Sequence, residues 1–218
     1  MKQFISLIER LRFLFLFFVL IAFCLAKTIH AIYADSAEGL ANLFFFLLIV
    51  SSLFVIGNRS LKLLAILTTT AAIEILLVLI DYPQLNTIRS SFAAIYFMLM
   101  FAGCLRYTFR DKSINITTLF GSLCAYLFIG LSYAYIYLML SSLNPGAFSN
   151  LAMNEENLAI YYSFVTLTTI GYGDILPLSP FAQTLSWFES FTGQAYLAIV
   201  IGQLVGRYVA DRMSSQEH

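Results

Sequence analysis

The chain has 218 residues, of which 60% are hydrophobic, 16% aromatic and only 11% charged. So little polar side chain cannot coat a soluble globule of this size, which places the chain in a bilayer. Twelve basic residues balance twelve acidic ones and no basic block offers a nucleic-acid footprint, so no nucleic-acid partner is expected.

Crossing the hydrocarbon layer takes about 20 apolar residues in a helix. Runs of that kind lie, in chain order, near residues 11–32, 40–56, 61–80, 91–108, 116–140 and 181–208. They are too long for barrel strands, and backbone in lipid must close its own hydrogen bonds. The expected fold is therefore all-α, with six transmembrane helices. Short polar connectors at 35–39, 57–60, 81–87 and 110–113 imply antiparallel neighbours. The first run exceeds the apolar core of a signal peptide, about 7–15 residues, and is expected to be retained. Cys24, Cys104 and Cys124 stand singly within apolar runs and read as small packing residues.

Positive charge collects on the cytoplasmic side of a membrane. With six spans and an inside amino terminus, Lys2, Arg10, Arg12, Arg59, Lys62, Arg106, Arg110, Lys112, Arg207 and Arg212 all fall inside. Only Lys27 and Arg89 fall outside. Both termini are thus expected in the cytoplasm of a multi-pass protein of the cell membrane. The triplet Asn115-Ile-Thr117 fits a glycosylation acceptor but falls on the inner side, and is set aside.

Between the last two runs lies a stretch that is itself partly apolar. Asn154 can cap a short helix there, with Glu155 and Glu156 in its first turn and its end near Thr168. It leads into Thr166-Leu-Thr-Thr169-Ile-Gly171-Tyr172-Gly173-Asp174. The pattern Thr-x-x-Thr-x-Gly-Tyr-Gly resembles the signature of the potassium-channel superfamily, and residues 113–212 resemble its outer helix, pore helix, filter and inner helix.

That resemblance implies a potassium selectivity filter at Thr169, Ile170, Gly171, Tyr172 and Gly173, supported by Thr166, Thr168 and Asp174. The composition suits the task. A dehydrating cation needs carbonyl oxygens in place of water, and Gly171 and Gly173 can take positive φ without steric cost. One chain supplies one strand, so a ring around an ion implies a homotetramer. Potassium is then the permeating ligand, the bilayer the surroundings, and no cofactor is expected. Gly193, 24 residues after Thr169, matches the superfamily's gating hinge, although Gly193, Gly202 and Gly206 also suit close helix packing. Glu189, four residues before Gly193, reads either as a modulatory carboxylate behind the filter or as a satisfied buried hydrogen bond.

Residues 1–112 form an expected four-helix transmembrane domain, 113–212 a pore domain and 213–218 a short tail. The six-span layout resembles that of voltage-gated channels in topology alone. A voltage sensor needs about 3–4 charges at helical spacing, and in the fourth run Arg89 and Arg106 flank sixteen uncharged residues. They read as interfacial anchors. Ten residues after Tyr208 are too few for a soluble sensor. The expected function is passive potassium conduction without strong voltage gating. The alternatives are a voltage-gated channel or a pore-loop cation transporter, and an enzyme is not expected. Glu74 is expected to make a structural hydrogen bond or to pair with Arg106. His30 reads as an interfacial residue, Glu155 and Glu156 as solvated, and Tyr133, Tyr135 and Tyr137 as an interfacial belt.

Overall fold

The computed structural model describes the backbone of residues 2–56, 61–80, 85–110, 116–152 and 155–216, and their side chains apart from 2–11, 34–41, 53–54, 56, 61–64, 74, 77–80, 107, 109–110, 116, 204 and 207–216. Seven α-helices account for almost all of the described residues. They are α1 (Lys2–Ile32), α2 (Ala34–Ile56), α3 (Leu61–Ile80), α4 (Asn86–Arg110), α5 (Ile116–Leu143), α6 (Glu156–Leu167) and α7 (Pro180–Gln216). Each of the six expected apolar runs lies within one helix, and α6 is the expected short helix between the last two.

Among the described residues, three stretches are long and apolar enough to cross a membrane: Arg12–Ile32, Asn86–Arg106 and Thr117–Leu143. The first four helices pack in chain order, and α5 is central, touching α1, α4, α6 and α7. Its sequence explains that position. It is apolar all round rather than on one face, as a helix enclosed by others must be. Phe97 of α4 anchors the shared core, with its ring 6.3 Å from Phe23, 6.1 Å from Phe128 and 5.3 Å from Tyr135. Apolar burial gives little drive between helices in lipid, so packing and interhelical hydrogen bonds carry association. The hydroxyls of Ser52 and Tyr96, 2.5 Å apart, make such a bond between α2 and α4.

Tyr133, Tyr135 and Tyr137 do not form an interfacial belt. All three are buried. Every residue from 128 to 135 is buried, so alternation along this part of α5 does not select an outer face. Cys104 and Cys124 are buried free thiols, and Cys24 is partly buried. Glu74 lies outside the described side chains, and Arg106 is exposed.

Candidate functional site

Helix α6 has 12 residues, about 18 Å of rise, too short for a hydrocarbon layer of about 30 Å. It therefore enters and ends within the protein, and its surroundings explain how. Its neighbours come close because they carry glycine and serine. A Cβ on Gly130 of α5 would lie 2.8 Å from the Phe164 ring, and one on Gly193 of α7 would lie 2.5 Å from the Leu167 carbonyl oxygen. The Ser163 hydroxyl reaches the Gly130 carbonyl at 2.6 Å. At Gly202 and Gly206 nothing lies within 4 Å of a Cβ, so within one chain the close-packing role falls on Gly193 and not on these two.

Glu189 is fully buried behind α6. One oxygen of its carboxyl accepts from the Tyr137 hydroxyl of α5, and the other meets the Ser163 hydroxyl of α6, whose single proton it shares with the Gly130 carbonyl. A carboxyl in this position is satisfied on both oxygens, which meets the demand that low-dielectric burial makes. At the next residue of α7, the Ser190 hydroxyl donates to the Thr166 carbonyl, about one turn beyond Ser163 on α6, at 3.0 Å. Helix α7 is thus tied to the last turn of α6 by Glu189, Ser190 and Gly193.

Beyond α6 the chain leaves helical geometry without leaving its hydrogen bonds. The N–H groups of Thr168, Thr169 and Ile170 donate to the carbonyls of Phe164, Thr166 and Val165 at 3.1, 3.0 and 2.9 Å, and Gly171 reaches Val165 at 3.4 Å. The Thr168 hydroxyl adds a bond to the Phe164 carbonyl at 2.6 Å. The donors of residues 168–171 are therefore spent on the helix end, while among the described residues nothing donates to the carbonyls of residues 169–173. The backbone alternates in hand: φ is +60° at Thr169, +59° at Gly171 and +79° at Gly173, with Ile170 and Tyr172 between them on the ordinary side. Alternation of that kind turns successive carbonyls toward one side, where an extended strand would send them to two. Every residue of 168–174 is exposed in the single chain, between buried Leu167 and Ile175.

The two glycines behave as their residue type suggests. Thr169 does not: a β-branched residue at positive φ is a strained outlier. The bond from its N–H to Thr166 is what holds it there.

Asp174 closes the strand. Its carboxylate accepts from the Tyr161 hydroxyl at 2.7 Å and from the Ile175 N–H at 3.1 Å, and its carbonyl accepts from the Asn150 amide at 2.9 Å. The bond to Asp174 pushes the Tyr161 phenol up to about 12. Tyr161 and Tyr172 stack with rings 6.4 Å apart and nearly parallel. Behind them, Ser149 N–H to the Leu176 carbonyl and Leu178 N–H to the Ala147 carbonyl, each 2.8 Å, fasten the two loops that flank the segment.

At the other end of α6, Glu155 stands at the N-cap position rather than in the first turn, and its carboxylate accepts from the Ala152 N–H at 3.0 Å. Asn154, the expected cap, lies outside the described residues. Glu156 is not a solvated residue. Its side chain is 12% exposed and forms ion pairs with Lys27 of α1 and Arg89 of α4, and it accepts from the Tyr135 hydroxyl at 3.3 Å. Arg89 is accordingly more than an interfacial anchor. Burial alone pushes the Glu156 carboxyl up, but the two cations outweigh it and hold the group at about 2.

The structure therefore brings Thr166, Thr168, Thr169, Ile170, Gly171, Tyr172, Gly173 and Asp174 into one segment, with Glu189 and Gly193 directly behind it. Sequence reasoning missed Tyr161, Tyr137, Ser163, Ser190 and the partners of Glu156. One signal was available for the last: two isolated cations on the outer side and an acidic pair at the start of α6.

Residues 122–210 match the family model described as Ion channel. The inward rectifier potassium channel Kirbac3.1 of Paramagnetospirillum magnetotacticum is 30% identical over 87 residues, 38% of this chain and 27% of that protein. Two-pore potassium channel 5 of Arabidopsis thaliana is 30% identical over 89 residues, 41% of this chain and 22% of that one. The chain thus spans about a quarter of the length of these curated relatives. No solved structure matches it. Its apolar helices and this domain make the chain a membrane protein carrying an ion-channel domain. Both matched relatives are potassium channels, and the family matched over residues 122–210 is one of channels and not of enzymes.

Proposed function

We propose that this chain is one subunit of a homotetrameric, potassium-selective channel that conducts passively across the cell membrane, with Thr169, Ile170, Gly171, Tyr172 and Gly173 as its filter. The observation that carries the reading is the alternating hand of 169–173, whose N–H groups are committed to α6 at its inner end and whose carbonyls are left available. A cation stripped of water is held by such oxygens. One strand surrounds nothing, and its full exposure in the single chain calls for further copies around an axis. Thr166 and Thr168 shape the inner end of the segment, and Asp174, held by Tyr161 and Asn150, braces the outer end.

Weak voltage dependence belongs to the same reading. Of the two arginines flanking the apolar run of α4, Arg89 is engaged by Glu156, and an engaged charge contributes little to gating movement. Six spans with both termini in the cytoplasm also fit: Lys27 and Arg89, the two cations assigned outside, converge on the first turn of α6. Residues 1–112 then serve as a peripheral domain to the pore of residues 113–212.

Potassium and sodium flux into vesicles carrying the full chain, as wild type and as Gly171→Ala, tests the proposal. Potassium-selective flux in the wild type and its loss in the variant are expected. Equal sodium and potassium flux in the wild type would overturn the filter assignment.

A further inference from the structure

Glu156 joins the re-entrant segment to three other helices. Lys27 comes from α1, Arg89 from α4 and Tyr135 from α5, and all meet one carboxylate in the first turn of α6. The positive end of the α6 dipole adds to the attraction. The pair is well enclosed, with side-chain exposures of 13% for Lys27 and 27% for Arg89. The far end of the same 12-residue helix supplies every carbonyl that holds the N–H groups of 168–171. A shift of its first turn is therefore a shift of the strand's supports.

Connectivity says whose helices these are. Only five residues, 111–115, separate α4 from α5. Fully extended, that link reaches about 20 Å, which confines α4 to the flank of its own α5. Both α1 and α4 pack on α5, and α1 also touches α6.

We propose that Lys27 and Arg89 form an ionic latch by which the peripheral helices α1 and α4 position the pore helix of their own subunit, so that the outer ends of α1 and α4 set the conducting shape of residues 169–173. The proposal rests on the channel function proposed above. Glu156 is a positioning residue in it, acting through α6 and touching no ion. The simpler account is an ion pair that only stabilises the fold, and the two differ in what a rearranged but intact pair does to selectivity.

The test uses the full chain in lipid vesicles, reading the ratio of potassium to sodium flux. Glu156→Lys and Lys27→Glu are each expected to lower the ratio at least tenfold, and the double variant, which restores the pair between positions 27 and 156 but leaves Arg89 facing a lysine, to recover part of it. Retention of the ratio in the single variants would overturn the latch. Glu156→Gln, which keeps the side-chain shape, serves where charge reversal prevents folding, and an unchanged ratio there would count equally against it. A second measurement stands apart from conduction. With Cys24, Cys104 and Cys124 replaced by alanine, Lys27→Cys with Glu156→Cys should be bridged within one chain by a short bifunctional thiol crosslinker, whose spacer stands in for the lost side-chain length, seen as a faster-running monomer. A covalent dimer would show that the latch joins neighbouring subunits and overturn the proposal. A wild type without potassium-selective flux would contradict the channel function, and the crosslink would still decide the latch.

Discussion

Gly171 and Gly173 sit at positive φ with nothing of their own chain within 4 Å of where a Cβ would project, so within one subunit alanine there meets a backbone penalty and no clash. That penalty is about 1–2 kcal/mol per left-handed residue. Gly173→Ala is expected to leave the helical circular dichroism of the protein unchanged while abolishing discrimination between potassium and sodium. Gly193 is a different kind of glycine. Its Cβ would lie 2.5 Å from the Leu167 oxygen, a backbone atom that cannot yield alone. Gly193→Ala should destabilise the protein by about 1–3 kcal/mol, read as an earlier thermal transition in detergent. The glycines were legible because few residue types tolerate their conformations. Thr169 was not, because its positive φ contradicts its own β-branched preference and is imposed by bonding to the end of α6.

At the scale of elements, α6 was visible as an apolar stretch too short to span, and its strand as a motif. Its attachments were not visible, because they join residues far apart in the chain: Arg89 and Glu156 are 67 positions apart. The Glu156 carboxyl, held at about 2 where a free glutamate titrates near 4.5, stabilises the folded state fully above the latter. That contribution disappears as pH falls from about 4.5 toward about 2, because the unfolded chain takes up the proton first. Thermal transitions followed from pH 6 to pH 3 should therefore fall more steeply in the wild type than in Glu156→Gln. At pH 6 the variant should be less stable by about 3 kcal/mol, the cost of leaving two largely enclosed cations without their anion. Parallel pH profiles for the two proteins would contradict the ion pair. Glu189 belongs to this scale as well. The sequence showed a carboxyl in an apolar helix that had to be satisfied, and the structure supplies Tyr137 and Ser163, whose hydroxyls carry no periodic signal of their own.

For the whole molecule, hydropathy and connector length were sufficient to place every expected run inside one helix, since the length of a spanning helix follows directly from bilayer thickness. They were not sufficient to say which helix faces would meet, and the tyrosines of α5 were misread for that reason. With α5 enclosed by α1, α4, α6 and α7, a period along it marks different neighbours and not an outer surface. The central claim is potassium selectivity through residues 169–173. The reversal potential of the reconstituted wild-type chain in a planar bilayer, with potassium on one side and sodium on the other, tests it most directly. The account predicts a reversal near the potassium equilibrium potential, with openings across the whole voltage range. A reversal near zero would contradict the filter, and steep opening at one polarity would contradict the reading of α4.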